Sequence, residues 1–100
     1  MITDFQKKVY ALTKKVPRGK VTSYSAIAKK LNSSPRAVGQ ALRVNPFAPV
    51  VPCHRVVKAD RTIGGFSGET YGKPIQRKIV MLREEGVIIK NNKIEKKFFI

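Results

Sequence analysis

The single cysteine and the single histidine of this chain are neighbours, Cys53 and His54, in the segment Pro52-Cys53-His54-Arg55-Val56. The thiolate is the reactive form of cysteine; His54 supplies an adjacent base, and Arg36, Arg43 or Arg55 could stabilise the thiolate. Side chains alternate along an extended chain, so a bridging water or a sharp bend would have to connect the two residues. A lone cysteine is also commonly an inert, buried small hydrophobe, and the residues alone leave both interpretations open.

The same counts exclude other kinds of site. One cysteine rules out an internal disulfide and a four-cysteine zinc site. The glycine-rich segment Gly64-Gly65-Phe66-Ser67-Gly68 lacks the strand-then-helix context of a dinucleotide site, and turn formation explains it equally well. The sequence therefore predicts neither a metal ion nor a diffusible cofactor.

The composition favours a polyanionic partner. The 100 residues carry 21 Lys and Arg against 6 Asp and Glu, a formal net charge of +15, and residues 1–50 contain one acid, Asp4. Such a surface attracts nucleic acid phosphates in a salt-dependent way. No apolar run approaches the roughly 18 residues of a membrane span, and the N-terminus lacks the apolar region of a signal peptide. We expect one domain over residues 1–100, a monomer in the cytoplasm (or the nucleus of a eukaryote), without a membrane partner.

Helix signals are dense in the first half of the chain. A first helix is predicted after the capping box of Thr3 and Gln6, a second short helix after Thr22 and Ser23, which can cap it, and a third from Pro35 to about Arg43 with Ser34 as its N-cap. The second and third helices form a helix-turn-helix pattern. The predicted buried side of the third helix consists of Val38, Ala41 and Leu42, and its opposite side of Arg36, Gln40 and Arg43. A helical hairpin of an ordinary core gives the same pattern, but the net charge favours nucleic acid binding.

The second half predicts shorter elements. The apolar, proline-broken stretch 47–52 is expected to be a buried extended connection. Pro74 opens a last helix that ends at Gly86, and the turn Asn91-Asn92 predicts a small hairpin. The final apolar residues, 98–100, are expected to cover an edge of the core. Together these elements predict a mostly α chain with a helix-turn-helix and a small β element.

Several spaced motifs resemble the O6-alkylguanine-DNA alkyltransferases, also called methylated-DNA–protein-cysteine methyltransferases. The segment Pro52-Cys53-His54-Arg55-Val56 is similar to their active-site signature. Further motifs extend the resemblance from Phe5 to about Gly86: Val21-Thr22-Ser23-Tyr24, Arg36-Ala37-Val38-Gly39, Arg43-Val44-Asn45-Pro46, Gly64-Gly65-Phe66-Ser67-Gly68 and Glu84-Glu85-Gly86. The resemblance implies a winged-helix-like DNA-binding domain whose recognition helix enters the minor groove.

The resemblance also implies roles for the site residues. Cys53 is the expected alkyl acceptor, and His54 acts through a water as the base that makes the thiolate. Glu85 orients His54, Tyr24 assists nucleotide extrusion and protonates the departing purine, and Asn45 braces the turn between the recognition helix and the active site. From the residues alone, Tyr24 could simply pack against the core, and Glu85 could pair with a basic neighbour on the helix surface, Lys78 or Arg83.

A second set of residues is expected to contact DNA or the base. Arg36 is the implied finger that enters the duplex where the base was, and small residues would let the recognition helix approach the backbone closely. The expected DNA-binding residues are Tyr24, Arg36, Ala37, Gly39, Gln40 and Arg43. The expected guanine pocket is lined by Val56, Gly64, Phe66 and Ser67.

The function that the resemblance implies is DNA repair in a single turnover. The protein would flip O6-alkylguanine out of duplex DNA and transfer the alkyl group irreversibly to Cys53, as a methylated-DNA–[protein]-cysteine S-methyltransferase. The alternative is an alkyltransferase-like protein that flags the lesion for another pathway; such proteins usually carry Trp in place of the acceptor, so Cys53 argues against it. A transcription regulator would leave the segment 52–56 unexplained, and the +15 charge does not suit a Cys-His hydrolase of small neutral substrates.

Two departures from the family pattern are visible. Family members commonly carry a separate N-terminal domain, which we expect to be absent here. Phe66 stands where many relatives have Tyr, which removes a hydroxyl but keeps the stacking surface.

Overall fold

The computed structural model describes residues 2–64 and 73–100, so the pocket predictions for Phe66 and Ser67 lie outside the described residues. The elements, in chain order, are α1 Asp4–Lys14, β1 Thr22–Ser23, α2 Tyr24–Lys30, α3 Pro35–Arg43, a 3-10 turn Cys53–Arg55, β2 Val56–Val57, α4 Lys73–Glu84, β3 Ile89–Lys90, β4 Lys93–Ile94 and a 3-10 turn Lys96–Phe98. The predicted mostly α class with a small β element is confirmed.

The three N-terminal helices begin where their capping residues predict. Thr3 accepts a hydrogen bond from the backbone N–H of Gln6, and the Gln6 side chain accepts one from Thr3 in return. Ser23 and Ser34 each accept a hydrogen bond from the backbone N–H three residues later, at the starts of α2 and α3. Each cap satisfies a backbone donor that the first helical turn leaves without a partner.

The first hydrophobic core lies between α1, α2 and α3. Val9, Ile27 and Val38, one from each helix, are at most 3% exposed and pack in this core. The Tyr10 hydroxyl donates a hydrogen bond of 2.7 Å to the carbonyl of Ala41, which joins α1 to α3. The predicted helix-turn-helix is confirmed, and its outer side is exposed as expected: Arg36, Gln40 and Arg43.

A second core lies under the β elements and α4. β1 and β2 are parallel, with Thr22 beside Val56, and β3 pairs with β4 around the predicted turn at 91–92. The buried residues of this core are Val21, Val57, Ile63, Leu82, Val87, Ile89 and Ile94. Phe98 and Phe99 pack against it as the tail prediction required, whereas Ile100 is 62% exposed.

The prediction of a buried extended connection over residues 47–52 is wrong. The segment forms successive turns, with Phe47 44% and Val50 66% exposed, and only Val51 and Pro52 are buried. The reason is Asn45, whose side chain accepts from the N–H of Phe47 and donates to the carbonyl of Val51, both at 2.9 Å. These two bonds close the loop, because an asparagine side chain can replace a backbone partner in a turn.

The bond between α1 and α3 yields a stability prediction. Replacing Tyr10 with Phe leaves the ring in place but removes the donor to the buried carbonyl of Ala41. We expect the free energy of unfolding to fall by about 1–3 kcal/mol with an unchanged denaturant slope, because a buried acceptor loses its partner. Urea unfolding followed by circular dichroism measures this, and an unchanged midpoint would contradict the role assigned to the bond.

Candidate functional site

The candidate site is built around a turn that starts at Cys53, called here the Cys53 turn. Residues Cys53–Arg55 form a 3-10 turn instead of an extended segment, with the N–H of Arg55 donating to the carbonyl of Pro52 at 2.9 Å. This is the sharp bend that the sequence left open. It buries His54, which is 3% exposed, and leaves Cys53 partly accessible.

His54 is held by the carboxylate of Glu85 at the end of α4. The His54 Nε2 atom lies 3.0 Å from Glu85 Oε2. Burial alone would raise the pKa of Glu85, but hydrogen bonds from Arg55 and His54 outweigh it and lower the pKa to about 2. An ionised carboxylate can only accept, so Nε2 carries the proton of the bond, and Nδ1 is the basic nitrogen of the neutral ring.

The imidazole is kept neutral by its surroundings. Burial is the largest influence and lowers the pKa of His54, with smaller contributions in the same direction from the positive charges of Arg55 and Lys78. The hydrogen bond and charge of Glu85 oppose this shift without reversing it. A neutral, oriented imidazole is the form of histidine that can accept a proton at pH 7.

Arg55 fixes Glu85, and the sequence did not identify this role. Its Nε and Nη2 atoms donate to the two Glu85 oxygens at 2.9 and 2.8 Å, and Nη1 donates to the carbonyl of Val16 at 2.9 Å. This paired geometry orients a carboxylate more firmly than a single bond. Sequence reasoning considered Arg55 only as a possible support for the thiolate, because no spacing pattern indicates which carboxylate an arginine will contact.

The alternative interpretation, in which Glu85 only pairs with Lys78 on the helix surface, does not apply. Lys78 has no exposed surface, and its Nζ atom donates to the backbone carbonyls of Val56 at 2.8 Å and Ile63 at 2.7 Å. The position lies on the side of α4 that faces the core, where helical periodicity favours an apolar residue. A sequence pattern gives no signal that a lysine is buried at such a position.

Tyr24 is the first residue of α2 and lies beside the site. Burial and the neighbouring Cys53 raise the pKa of the Tyr24 hydroxyl to about 12, so it stays protonated at neutral pH. Gly64, which has a φ of +77°, lies against this ring: a β-carbon placed on Gly64 would be 3.4 Å from Tyr24 Cε2. The predicted residues Tyr24, Val56 and Gly64 are therefore grouped around the Cys53 turn.

The residues of the third helix that the sequence predicts to contact DNA form a second group, on α3. Arg36, Gln40 and Arg43 are exposed, and Ala37 and Gly39 are partly buried. A β-carbon placed on Gly39 would meet no described atom within 4 Å beyond the adjoining backbone of its own helix. Asn45 bridges the two groups, since it closes the loop between α3 and the Cys53 turn.

Two further observations concern metals and membranes. Within residues 2–64 and 73–100, no group of three or more His, Cys, Asp or Glu side chains is placed to hold a metal ion. In the same ranges, no helix has the length and apolar character needed to cross a membrane.

The pairing of His54 with Glu85 predicts two pH effects. The only histidine should titrate below 6.5 in the folded protein, and lower still in Glu85→Gln, because the anion that favours its protonation is gone. The histidine of the unfolded chain binds a proton near pH 6.5, whereas burial lowers the pKa of His54 in the folded protein, so the free energy of unfolding should decline as the pH falls through 6.5. It should decline again below about pH 4.5, because protonation of Glu85 removes the carboxylate that the folded protein stabilises in its ionised form.

Proton NMR of the histidine ring measures the titration, and urea unfolding between pH 7 and about 2 measures the stability. Glu84→Gln is the matched control, because Glu84 is the exposed neighbour of Glu85 and its loss should leave the titration unchanged. A histidine that titrates above 6.5, or that is insensitive to Glu85→Gln, would overturn this description of the pair.

Comparison with known proteins identifies the family. The profile described as "6-O-methylguanine DNA methyltransferase, DNA binding domain" matches residues 4–87. A methylated-DNA–protein-cysteine methyltransferase of Thermococcus kodakarensis is 51% identical over 87 residues, which cover 86% of this chain and 47% of the relative. The chain spans about half the length of the curated relatives it matches.

Two solved structures are also similar. The Mycobacterium tuberculosis OGT in complex with DNA has a TM-score of 0.73 and 39% identity, over 85% of this chain and 51% of that one. The S. pombe Atl1 in complex with damaged DNA containing O6-carboxymethylguanine has a TM-score of 0.79 and 31% identity, over 100% of this chain and 98% of that one. With its Cys53–His54–Glu85 arrangement and a profile match over residues 4–87, the chain belongs to the 6-O-methylguanine DNA methyltransferase family, as a DNA-binding domain of that family.

Proposed function

We propose that this protein repairs DNA by flipping O6-alkylguanine out of the duplex and transferring the alkyl group irreversibly to Cys53, which restores guanine. The observation that carries the proposal is that His54, in the turn that begins at Cys53, has its Nε2 atom 3.0 Å from Glu85 Oε2. Relatives named methylated-DNA–protein-cysteine methyltransferase support it. So does the partial exposure of Cys53, since an acceptor must be reached by its substrate.

The first step is formation of the thiolate. The thiol proton passes through a water to the basic nitrogen of His54, and the Glu85 carboxylate stabilises the resulting imidazolium through Nε2. Arg55 keeps Glu85 in place during this transfer, because it donates to both carboxylate oxygens. Because Glu85 is already ionised and in contact with Nε2, it can stabilise the imidazolium without a rearrangement of the site.

The second step moves the alkyl group. The Cys53 sulfur attacks the saturated carbon attached to the purine oxygen, a sulfur–carbon bond forms and the carbon–oxygen bond breaks. The purine leaves with the electron pair of the broken bond and takes up a proton from the Tyr24 hydroxyl, which is protonated at neutral pH. The proton that His54 took from the thiol then returns through water to the Tyr24 oxygen, so that both side chains regain their starting forms. The thioether is stable and the chain has no second cysteine, so each molecule reacts once.

The outer side of α3 is the proposed DNA contact. Its basic residues are exposed, and Arg36 at the start of the helix would enter the duplex in place of the flipped nucleotide. Asn45 connects α3 with the Cys53 turn, so a lesion held by α3 lies in a fixed relation to the acceptor. The DNA complexes of similar structures support this assignment.

The alternative function is recognition of the lesion without transfer. It is favoured by the similarity to Atl1, which extends over the whole chain. Such a protein would use the same α3 surface and the same flipped base, and another pathway would remove the damage. The two functions differ at Cys53, which only the transfer function needs as an acceptor and which is partly exposed.

A mass measurement distinguishes the two functions. After mixing with a duplex that contains one O6-methylguanine, we expect the peptide containing Cys53 to gain one methylene and the DNA to regain guanine. Cys53→Ala should bind the modified duplex but give no mass change. Tight binding without a mass change in the unaltered protein would support lesion recognition alone, and the absence of both would contradict the proposal.

Gly39 provides a separate test of the DNA surface. Gly39→Ala adds a methyl group that meets no described part of the protein and improves helix propensity, so the free energy of unfolding should rise by up to about 1 kcal/mol. The same methyl group should weaken binding to duplex DNA, because it separates α3 from the sugar–phosphate backbone.

Urea unfolding and fluorescence anisotropy with a labelled duplex measure the two effects. Ser25→Ala, on the neighbouring helix α2, is the matched control for a small change outside the proposed contact. Unchanged DNA affinity in Gly39→Ala would place the contact surface elsewhere.

A further inference from the structure

The turn that follows α1 lies against the end of α4. The N–H of Lys20 donates to the carbonyl of Pro17 at 3.1 Å and closes residues 17–20 into a turn, called here the Pro17 turn. Its third residue, Gly19, has a φ of +85°, in the left-handed region that strains a residue with a side chain. A β-carbon placed on Gly19 would lie 3.0 Å from the backbone carbonyl oxygen of Glu85, so the glycine permits an approach that a β-carbon would obstruct.

A second contact with α4 comes from the side chain of Arg18 in the same turn. Its Nη2 atom donates to the backbone carbonyl of Glu84 at 3.2 Å, and its Nη1 atom lies 3.9 Å from Glu85 Oε2. The Arg18 side chain is 69% exposed, so water screens its charge and the 3.9 Å contact contributes little by itself. The bond to Glu84 caps the last turn of α4, whose carbonyls have no partner within the helix.

A third contact passes through Arg55. Val16, which directly precedes the Pro17 turn, is 1% exposed, and its carbonyl accepts from Arg55 Nη1 at 2.9 Å. The other two Arg55 donors bind the Glu85 carboxylate. The chain from Val16 to Gly19 therefore constrains Glu85 at both ends, at its backbone carbonyl beside Gly19 and at its carboxylate through Arg55.

Glu85 needs these constraints because its place in the chain disfavours a carboxylate. It directly follows Glu84, the last residue of α4, and the negative end of the helix dipole repels an anion there. Its side chain is nevertheless only 8% exposed, with Oε2 at 3.0 Å from His54 Nε2. A hydrogen bond weakens as its two atoms move apart, so a shift of the Glu85 backbone away from Gly19 would weaken the bond to the imidazole.

We propose that the Pro17 turn positions the Glu85 carboxylate for His54, with Gly19 and Arg18 as its positioning residues. Gly19 sets how closely the end of α4 approaches the turn, and Arg18 caps that end. The inference rests on the proposed function only in its use of His54 as the base. Neither positioning residue gives or takes a proton in the reaction, since both act through Glu85.

The first test compares Gly19→Ala with Gly86→Ala. Both glycines have a positive φ, +85° and +91°, so both substitutions strain the backbone and lower the stability of the fold. The β-carbon at Gly19 meets Glu85, whereas the one at Gly86 meets no described atom within 4 Å beyond its chain neighbours. Because Gly86 is adjacent to Glu85 in the chain, an effect of strain alone would appear at Gly86 at least as strongly.

Nitrogen-15 NMR of the His54 ring gives its titration midpoint and the fraction of neutral rings that carry the proton on Nε2. We expect Gly19→Ala to lower both, because a displaced carboxylate accepts less well from Nε2 and stabilises the protonated ring less. The other charged groups that act on the ring, Arg55 and Lys78, are the same in all three proteins. Gly86→Ala should leave both values unchanged, and unchanged values in Gly19→Ala would overturn the proposal.

Arg18→Ala decides the matter if Gly19→Ala does not fold. The side chain is exposed, so its loss preserves the core while it removes the bond to the Glu84 carbonyl. At an ionic strength of about 0.15 M, which screens exposed charges, we expect the fraction of rings protonated on Nε2 to fall. Lys15→Ala, which removes a charge from an exposed residue of the same segment, is the matched control and should leave that fraction unchanged. An unchanged fraction in Arg18→Ala would contradict the proposal.

A transfer measurement separates this inference from the proposed function. With a duplex that contains one O6-methylguanine, single-turnover transfer to Cys53 should be about tenfold slower in Gly19→Ala than in Gly86→Ala, with an unchanged dissociation constant for the duplex. A weaker affinity with an unchanged transfer rate would overturn the positioning role. If the NMR effects are present and the unaltered protein accepts no methyl group, the transfer function is overturned and the positioning of Glu85 by the Pro17 turn stands.

Discussion

The carboxylate of Glu85 is the contact on which the arrangement of the site depends. It accepts from His54 and twice from Arg55, and the third Arg55 donor reaches the carbonyl of Val16 beyond α1. One side chain at the end of α4 thus joins the Cys53 turn to the chain that follows the first helix. Charged hydrogen bonds of this kind are strong and directional, so they define the imidazole orientation as well as its tautomer.

The helices could be predicted because their signals are local. Thr3, Ser23 and Ser34 mark the starts of α1, α2 and α3 through bonds to residues three positions away, and the alternation of apolar and charged positions gives the buried sides. The turn at Asn91 and Asn92 follows from similar chemistry, with φ values of 51° and 64°. Information of this kind is contained within a few residues of sequence.

The parts that sequence did not predict depend on distant contacts. Asn45 turns an apolar stretch into a loop through a bond to Val51. Arg55 finds its partner 30 residues away, and Lys78 is buried because two carbonyls from another part of the fold meet its ammonium. The pair of His54 and Glu85 was expected only from the family resemblance, since neighbouring Glu84 is chemically identical. Each case requires the folded arrangement before the partner can be named.

The site lies where two hydrophobic cores meet. Cys53 and Tyr24 pack against the core of the helix-turn-helix, whereas Val57 and Ile63 belong to the core under α4. The hairpin of β3 and β4 completes that second core although it lies beyond the matched residues 4–87, with Ile94 fully buried and its N–H bonded to the carbonyl of Arg61. Local opening of either core separates half of the site from the other half. The arrangement of Cys53, His54 and Glu85 therefore exists only in the cooperatively folded molecule, and amide hydrogen exchange around Cys53 should be governed by the less stable of the two cores.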